Sequence, residues 1–175
     1  MAGPIVNQVR LALPAEARSI AVLQQRSLGE YGLDAGLSLE DMTQAWRDAI
    51  VRPPLATFRV LVAVEADAGA IVGFAAIGPS DDEDAEPIDG LVGEFVVDAA
   101  HRRRGHGSRL MHACADTLRA DGFERATWWL LTTDDVKRSF LESTGWAPDG
   151  AYRELGTPDR PVVKQIRLHT DLRTE

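Results

Sequence analysis

An apolar run, Leu91 to Val97, passes through Asp98-Ala99-Ala100-His101-Arg102-Arg103-Arg104-Gly105-His106-Gly107 into a helix whose Leu110, Met111, Cys114 and Leu118 share one face. That helix stops at Gly122, read as a left-handed C-cap, and a second apolar strand, Ala126–Leu131, follows. Strand, helix and strand in succession imply a parallel pairing, and the unbroken apolar character of Leu91–Val97 places it in the middle of a sheet. The turn carries a second constraint. Gly105 and Gly107 let several backbone N–H groups point into one concavity, and the next helix adds its unpaired N–H groups and the positive end of its dipole. Arg102, Arg103, Arg104 and Arg109 crowd the same place. Each basic side chain there costs a few tenths to about 1 kcal/mol unless something neutralises it. The turn is therefore read as a diphosphate cradle.

The rest of the chain makes this basic cluster a local exception. A net charge of −8 and a pI of about 5.0 argue against nucleic acid or an anionic membrane as the main partner. A chain of 175 residues suits one domain, 1–175, able to bury roughly 70% of its unfolded surface. Cys114 is the only cysteine, so no intrachain disulfide forms; it reads as a small buried hydrophobe in a reducing compartment. No apolar run approaches the ~18 residues of a membrane span, and Met1–Arg10 lacks signal-peptide architecture, so the chain is expected to be soluble and cytoplasmic. His101, His106, His112 and His169 have no metal-ligand spacing, and no metal site is expected.

Residues 5–12 alternate enough for a first strand, and Pro14 opens a helix to Leu28. Gly29–Gly36, with Tyr31, reads as a loop. Ser38, with Asp41 three residues on, caps a second helix to Val51 that Pro53-Pro54 ends. Phe58–Val64 and Ala70–Ile77 form a hairpin about Asp67-Ala68-Gly69, and Ser80–Asp89 is an acidic excursion. A helix from Asp135 ends at Gly145, and the last strands are placed at Tyr152–Leu155 and Val162–Leu168. The order β-α-α-β-β-β-α-β-α-β-β describes an α/β (α+β) chain with a mixed sheet.

Three patterns carry a family resemblance. Arg102-Arg103-Arg104-Gly105-His106-Gly107 matches [Gln/Arg]-x-x-Gly-x-[Gly/Ala], and Phe95-Val96-Val97 matches the apolar-x-Val that precedes it. Asp134, Phe140, Gly145 and Trp146 meet Asn-x-x-Ala-x-x-Phe-Tyr-x-x-x-Gly-Phe in outline; Ala99 stands where a proline is usual after the valine. With the element order, the chain resembles the GNAT family of acyl-CoA-dependent N-acyltransferases. The resemblance implies a central, mostly antiparallel sheet with a splayed parallel strand pair and helices on both faces. It implies acetyl-CoA as cosubstrate and transfer of its acetyl group to a primary amine, of a small molecule or a protein, by direct attack on the thioester. Backbone N–H groups of Arg103, Arg104, Gly105, His106, Gly107 and Ser108 would hold the diphosphate, with Arg102 beside them. Main-chain groups of Phe95 and Val97, flanking Val96, would bind the pantetheine arm, and Asp134 and Phe140 would complete that side. Homodimers are common in the family. Two other phosphate motifs fail: Leu110 replaces the third glycine of a dinucleotide fingerprint, and no Gly-Lys-Ser/Thr occurs.

Acyl transfer to an amine needs a base, a donor for the tetrahedral oxyanion and, for some leaving thiolates, an acid. A backbone N–H near Val96 or Val97 serves as the donor. Glu94 is the leading base, as the only ionisable residue in Leu91–Val97, where apolar neighbours raise a carboxyl pKa. The family often sets this carboxylate nearer the strand start, at Asp89 or Leu91. Its usual tyrosine acid falls on Leu141, leaving Ser139, Tyr152 or unassisted departure. Tyr31 and Trp46 are candidates for the acceptor pocket, with core packing the alternative for Trp46. Trp128 and Trp129 must face opposite sides of their strand. The acids of Ser80–Asp89 would attract a cationic amine or form a solvated flexible loop. A catalytically weak acyl-CoA sensor or regulatory protein, and a transferase for another acyl group, are the alternatives to the acetyltransferase.

Overall fold

The structure, a computed structural model, describes residues 7–159 and 162–173. Strand β1 (Gln8–Leu11) leads through a short 3-10 turn at Pro14–Glu16 into α1 (Ala17–Glu30). Residues 5 and 6 of the expected first strand lie outside the described residues. Helix α2 (Leu39–Val51) starts as the sequence indicates, with the Asp41 N–H donating to Ser38 Oγ at 3.2 Å. Strands β2 (Arg59–Val64) and β3 (Ile71–Pro79) form the hairpin, turning at Gly69, whose φ is +62°. Strand β4 (Asp89–Val97), helix α3 (His106–Ala120) and strand β5 (Arg125–Leu131) make the central unit, followed by α4 (Asp135–Ser143), β6 (Ala147–Leu155) and β7 (Val163–Asp171). Gly122 and Gly145 close α3 and α4 at φ of +95° and +96°, the left-handed conformation expected at Gly122 and shared by Gly145, where the helix from Asp135 was expected to end. Strand β6 begins five residues before Tyr152, where the sequence placed its start. Pro148 and Gly150 hid it, because neither suits a regular ladder; the register shift between Pro148 and Tyr152 accommodates them.

The strands form one sheet in the order β1-β2-β3-β4-β5-β7-β6, with β4 and β5 the parallel pair and every other pairing antiparallel. Alternation sends Val60, Val62, Phe74, Ala76 and Val96 to the α1–α2 layer. Leu61, Ala75, Ile77, Phe95 and Trp128 go to the layer of α3 and α4, against Leu110, Cys114, Leu118 and Leu141. Trp128 packs edge-on to Trp146 at 5.4 Å, while Trp129 faces the other way, as neighbours on a strand must. Cys114 is 2% exposed and burial pushes its thiol up to about 12, so it is an inert hydrophobe. Among the described residues no helix is long and apolar enough to cross a membrane.

The parallel ladder is short. It joins Asp89–Val92 to Arg125–Trp128 and ends there. Opposite Ala76 and Ile77 stand Glu94 and Val92, so Gly93 is an extra residue bulged out of β4 at the point where the ladder stops. Beyond it β4 continues beside β3 while β5 continues beside β7. A gap opens between them.

The closed end of the gap is fastened by Asp89, 3% exposed, whose carboxylate accepts from Arg125 Nε at 2.7 Å and Nη2 at 2.6 Å and from the Glu86 N–H at 2.9 Å. The Arg125 hydrogen bonds hold the Asp89 carboxyl below its ordinary range. A depressed folded pKa contributes stability above the unfolded value of about 3.9, and that stability is lost as pH falls further. Asp89→Asn is expected to lower stability by about 1–3 kcal/mol near neutral pH, less than for a fully buried pair because Arg125 is half exposed. Thermal melts from pH 7 down to pH 3 check this: the variant's deficit should shrink toward the acid end.

Candidate active site

The gap between β4 and β5 widens into a cleft of about 700 Å³. Phe95, Val96, Val97 and the turn residues Arg102, Arg103, Gly105, Gly107 and Ser108 form one wall; Asp134, Val136, Lys137 and Phe140 form the second. Ser27, Glu30 and Tyr31, at the end of α1, cover one end. A second cavity of about 510 Å³ shares Glu30 and Tyr31 and reaches Leu33, Leu131 and Lys164. It therefore lies between the start of β7 and the end of α1 with the loop that follows it, a loop that begins two residues later than the expected Gly29.

The turn has the backbone its glycines suggested. Gly105 sits at φ +82°, and Arg103, at +63°, is the only non-glycine with positive φ among the described residues. No N–H from Arg103 to Ser108 meets a protein acceptor among the described residues; the Arg109 N–H is the first, donating to Gly105 O at 3.1 Å. Consecutive amides left without partners at the start of a 15-residue helix are suited to phosphate oxygens. The His106 imidazole is buried and does not line the cleft, and burial lowers its pKa from the ordinary value. Only its main chain is available at the turn.

The arginines divide into two kinds. Arg102 pairs with Glu30 at 3.0 Å across the cleft mouth and also donates to Val97 O at 3.3 Å. Arg104 turns outward to Glu65 at 2.9 Å and does not line the cleft. Internal carboxylates thus relieve part of the dipole conflict that the sequence assigned wholly to a bound anion. Arg103 and Arg109 have no carboxylate partner among the described residues.

Glu94 projects toward the α1 layer, near Gln24 and Lys137; burial pushes its carboxyl above the ordinary range, against the pull of the Lys137 charge. Asp89, the alternative nearer the strand start, is fully engaged by Arg125. Leu141 is 0% exposed in the core. Ser139 and Tyr152 lie outside the cleft, and the Tyr152 O–H donates to Glu154. Tyr31 does line the cleft: its O–H donates to Asp134 Oδ2 at 2.6 Å, and burial with this hydrogen bond drives the phenol pKa upward. Trp46 does not. It is a core residue, edge-on to Phe74 at 5.1 Å, with its Nε1–H donating to Gln24 Oε1 at 2.8 Å. Trp46 reaches the site only by holding Gln24. Part of the acidic excursion is tied down: Asp82 and Asp84 pair with Arg167, and Asp82 also accepts from Trp129 Nε1, while Asp81, Glu83 and Glu86 are exposed.

Sequence reasoning missed Lys137, Ser27, Glu30 and Val136. Only Lys137 left a signal, since it occupies the alanine position of the Asn-x-x-Ala pattern. Among the described residues no group of three or more His, Cys, Asp or Glu side chains is arranged to hold a metal ion.

Comparison with known proteins matches the acetyltransferase (GNAT) family over residues 23–146. Similar folds include yncA from Salmonella typhimurium, solved with its cofactor acetyl-CoA (16% identity, TM-score 0.74, 97% of this chain and 95% of that one). Ribosomal-protein-alanine N-acetyltransferase from Brucella melitensis is similar at 18% identity and TM-score 0.74, over 94% of this chain and 99% of that one. A GCN5-related N-acetyltransferase from Kribbella flavida is similar at 25% identity and TM-score 0.73, over 97% and 99%. No curated protein sequence matches.

Proposed function

Because the chain belongs to the GNAT acetyltransferase family, we propose that it carries an acetyl group from acetyl-CoA to a primary amine by direct attack on the thioester, as one cytoplasmic domain spanning 1–175. The unpartnered amides of Arg103–Ser108, opening onto the cleft where β4 leaves β5, carry this reading. They supply donors for a diphosphate; Arg103 adds charge beside them, and the free edge of β4 at Phe95–Val97 suits the amides of a pantetheine arm. Phe140 and Val136 would give that arm an apolar wall.

Glu94, which lines neither cavity but lies near Lys137 of the cleft wall, would take the proton from the amine. Its raised pKa brings it nearer to that of a useful base without removing the charge-state control that a carboxylate provides. The cavity beside Tyr31 would admit the acceptor, with Tyr31 held in place by Asp134. The burial of Leu141 favours one second reading, an acyl-CoA sensor without turnover. Free-thiol release from acetyl-CoA across a broad panel of small amines and peptide amines separates the two. Acetyltransfer gives amine-dependent thiol with at least one acceptor. Tight coenzyme A binding with no thiol release across the panel would mark a sensor.

A further inference from the structure

The chain holds 19 lysine and arginine residues, of which only Lys137 and Lys164 are lysines. One of these two stands inside the cleft. Lys137 rises from the first turn of α4, and its Nζ lies 3.5 Å from the Phe95 carbonyl oxygen and 3.7 Å from Asp134 Oδ2. Since β5 has already diverged at Phe95, that carbonyl faces the gap, on the strand edge assigned above to the pantetheine arm. The amine therefore sits where such an arm would end and its thioester begin. Asp134 is fixed there from two other sides, by the Tyr31 O–H at 2.6 Å and by the Lys137 N–H at 3.1 Å. Nothing in the transfer to an external amine requires a second amine at this point.

We propose that Lys137 is a self-acetylation site, which bound acetyl-CoA acylates on Nζ. The inference rests on the acetyltransferase reading and adds an acceptor that belongs to the chain itself. The reacting groups are held together in one cleft, which gives a nucleophile placed this way a large advantage over one in solution. Burial lowers the proton affinity of Lys137 and Arg102 adds to that, while Asp134 and Glu94 oppose it. The Asp134 carboxylate, 3.7 Å from Nζ, takes one proton from the ammonium, and neutral Nζ then attacks the thioester carbonyl carbon. The C–N bond forms, the C–S bond breaks, and the second proton leaves nitrogen for the departing sulfur, giving an acetamide and free coenzyme A thiol. An amide does not return its acetyl group to another amine, so the product is a lasting modification. It removes the cleft's ammonium and leaves Asp134 with Tyr31 as its remaining side-chain partner.

Lys164, with 59% of its side chain exposed at the rim of the second cavity and outside the cleft that holds Lys137, is the comparison residue. The purified full chain is incubated with acetyl-CoA and followed by intact mass and by tryptic mapping, with coenzyme A binding measured calorimetrically on the same protein. The expected result is one added acetyl group, on Lys137, at least tenfold faster than on Lys164, with none at position 137 in Lys137→Arg. Coenzyme A binding with Lys137 unmodified, or modified no faster than Lys164, overturns the proposal and leaves the acetyltransferase reading intact. Absence of coenzyme A binding overturns both.

Discussion

Gly105→Val will weaken coenzyme A binding by about 10–100-fold, because a β-branched residue resists the left-handed conformation by some 1–3 kcal/mol. Gly105 holds φ +82° as the N-cap of α3, between Arg104 and His106, so its backbone sets the direction of the amides on both sides. The side chain itself meets little obstruction: a Cβ would come 3.3 Å from the Arg109 guanidinium, the far end of a flexible side chain. The loss would therefore come through the backbone. If the turn relaxes to a negative φ, the row of N–H groups no longer converges. Isothermal calorimetry with coenzyme A checks this, and a thermal melt separates it from unfolding. Affinity within twofold of wild type, with the fold intact, would mean that the turn does not hold the diphosphate.

Glu94→Gln will lower turnover at least tenfold while coenzyme A affinity holds. The substitution keeps shape and removes the ability to accept a proton, and Glu94 does not line the wall assigned to coenzyme A. Its pKa is raised by burial above the ordinary value of about 4.3, and only its ionised form is a base. Turnover should then fall as pH drops through that raised pKa, and this acid limb should disappear from the variant's residual activity. An unchanged rate would remove Glu94 from the mechanism. An acid limb that persists in Glu94→Gln would assign the titration to another group.

The local features of this protein were legible in its sequence. The strand, glycine turn and helix at 91–118 could be read because apolar periodicity and left-handed glycines are properties of neighbouring residues. The same holds for the Ser38 cap and for the stops at Gly122 and Gly145. Strand β6 was shortened because Pro148 and Gly150 disguise a bulged edge strand. Pairings between distant segments had no local signature at all. Arg102 finds Glu30, Arg104 finds Glu65, and Arg167 gathers Asp82, Asp84 and Asp149. Each pair joins parts of the chain that only the sheet order brings together. The arginine cluster therefore looked more uncompensated than it is, and the acidic excursion more free. Trp46 shows the same limit from the other direction, since an aromatic at helical spacing reads alike whether it faces a cleft or a core.

The proposed activity depends on the amides of Arg103–Ser108 gripping a phosphate-bearing ligand. The most direct test is a titration of coenzyme A into nitrogen-15-labelled protein, with every backbone amide resonance followed. The largest shifts should fall on 103–108, with smaller ones along Phe95–Val97. Resonances of 103–108 that stay in place while coenzyme A binds would contradict the account, as would shifts centred on a different surface.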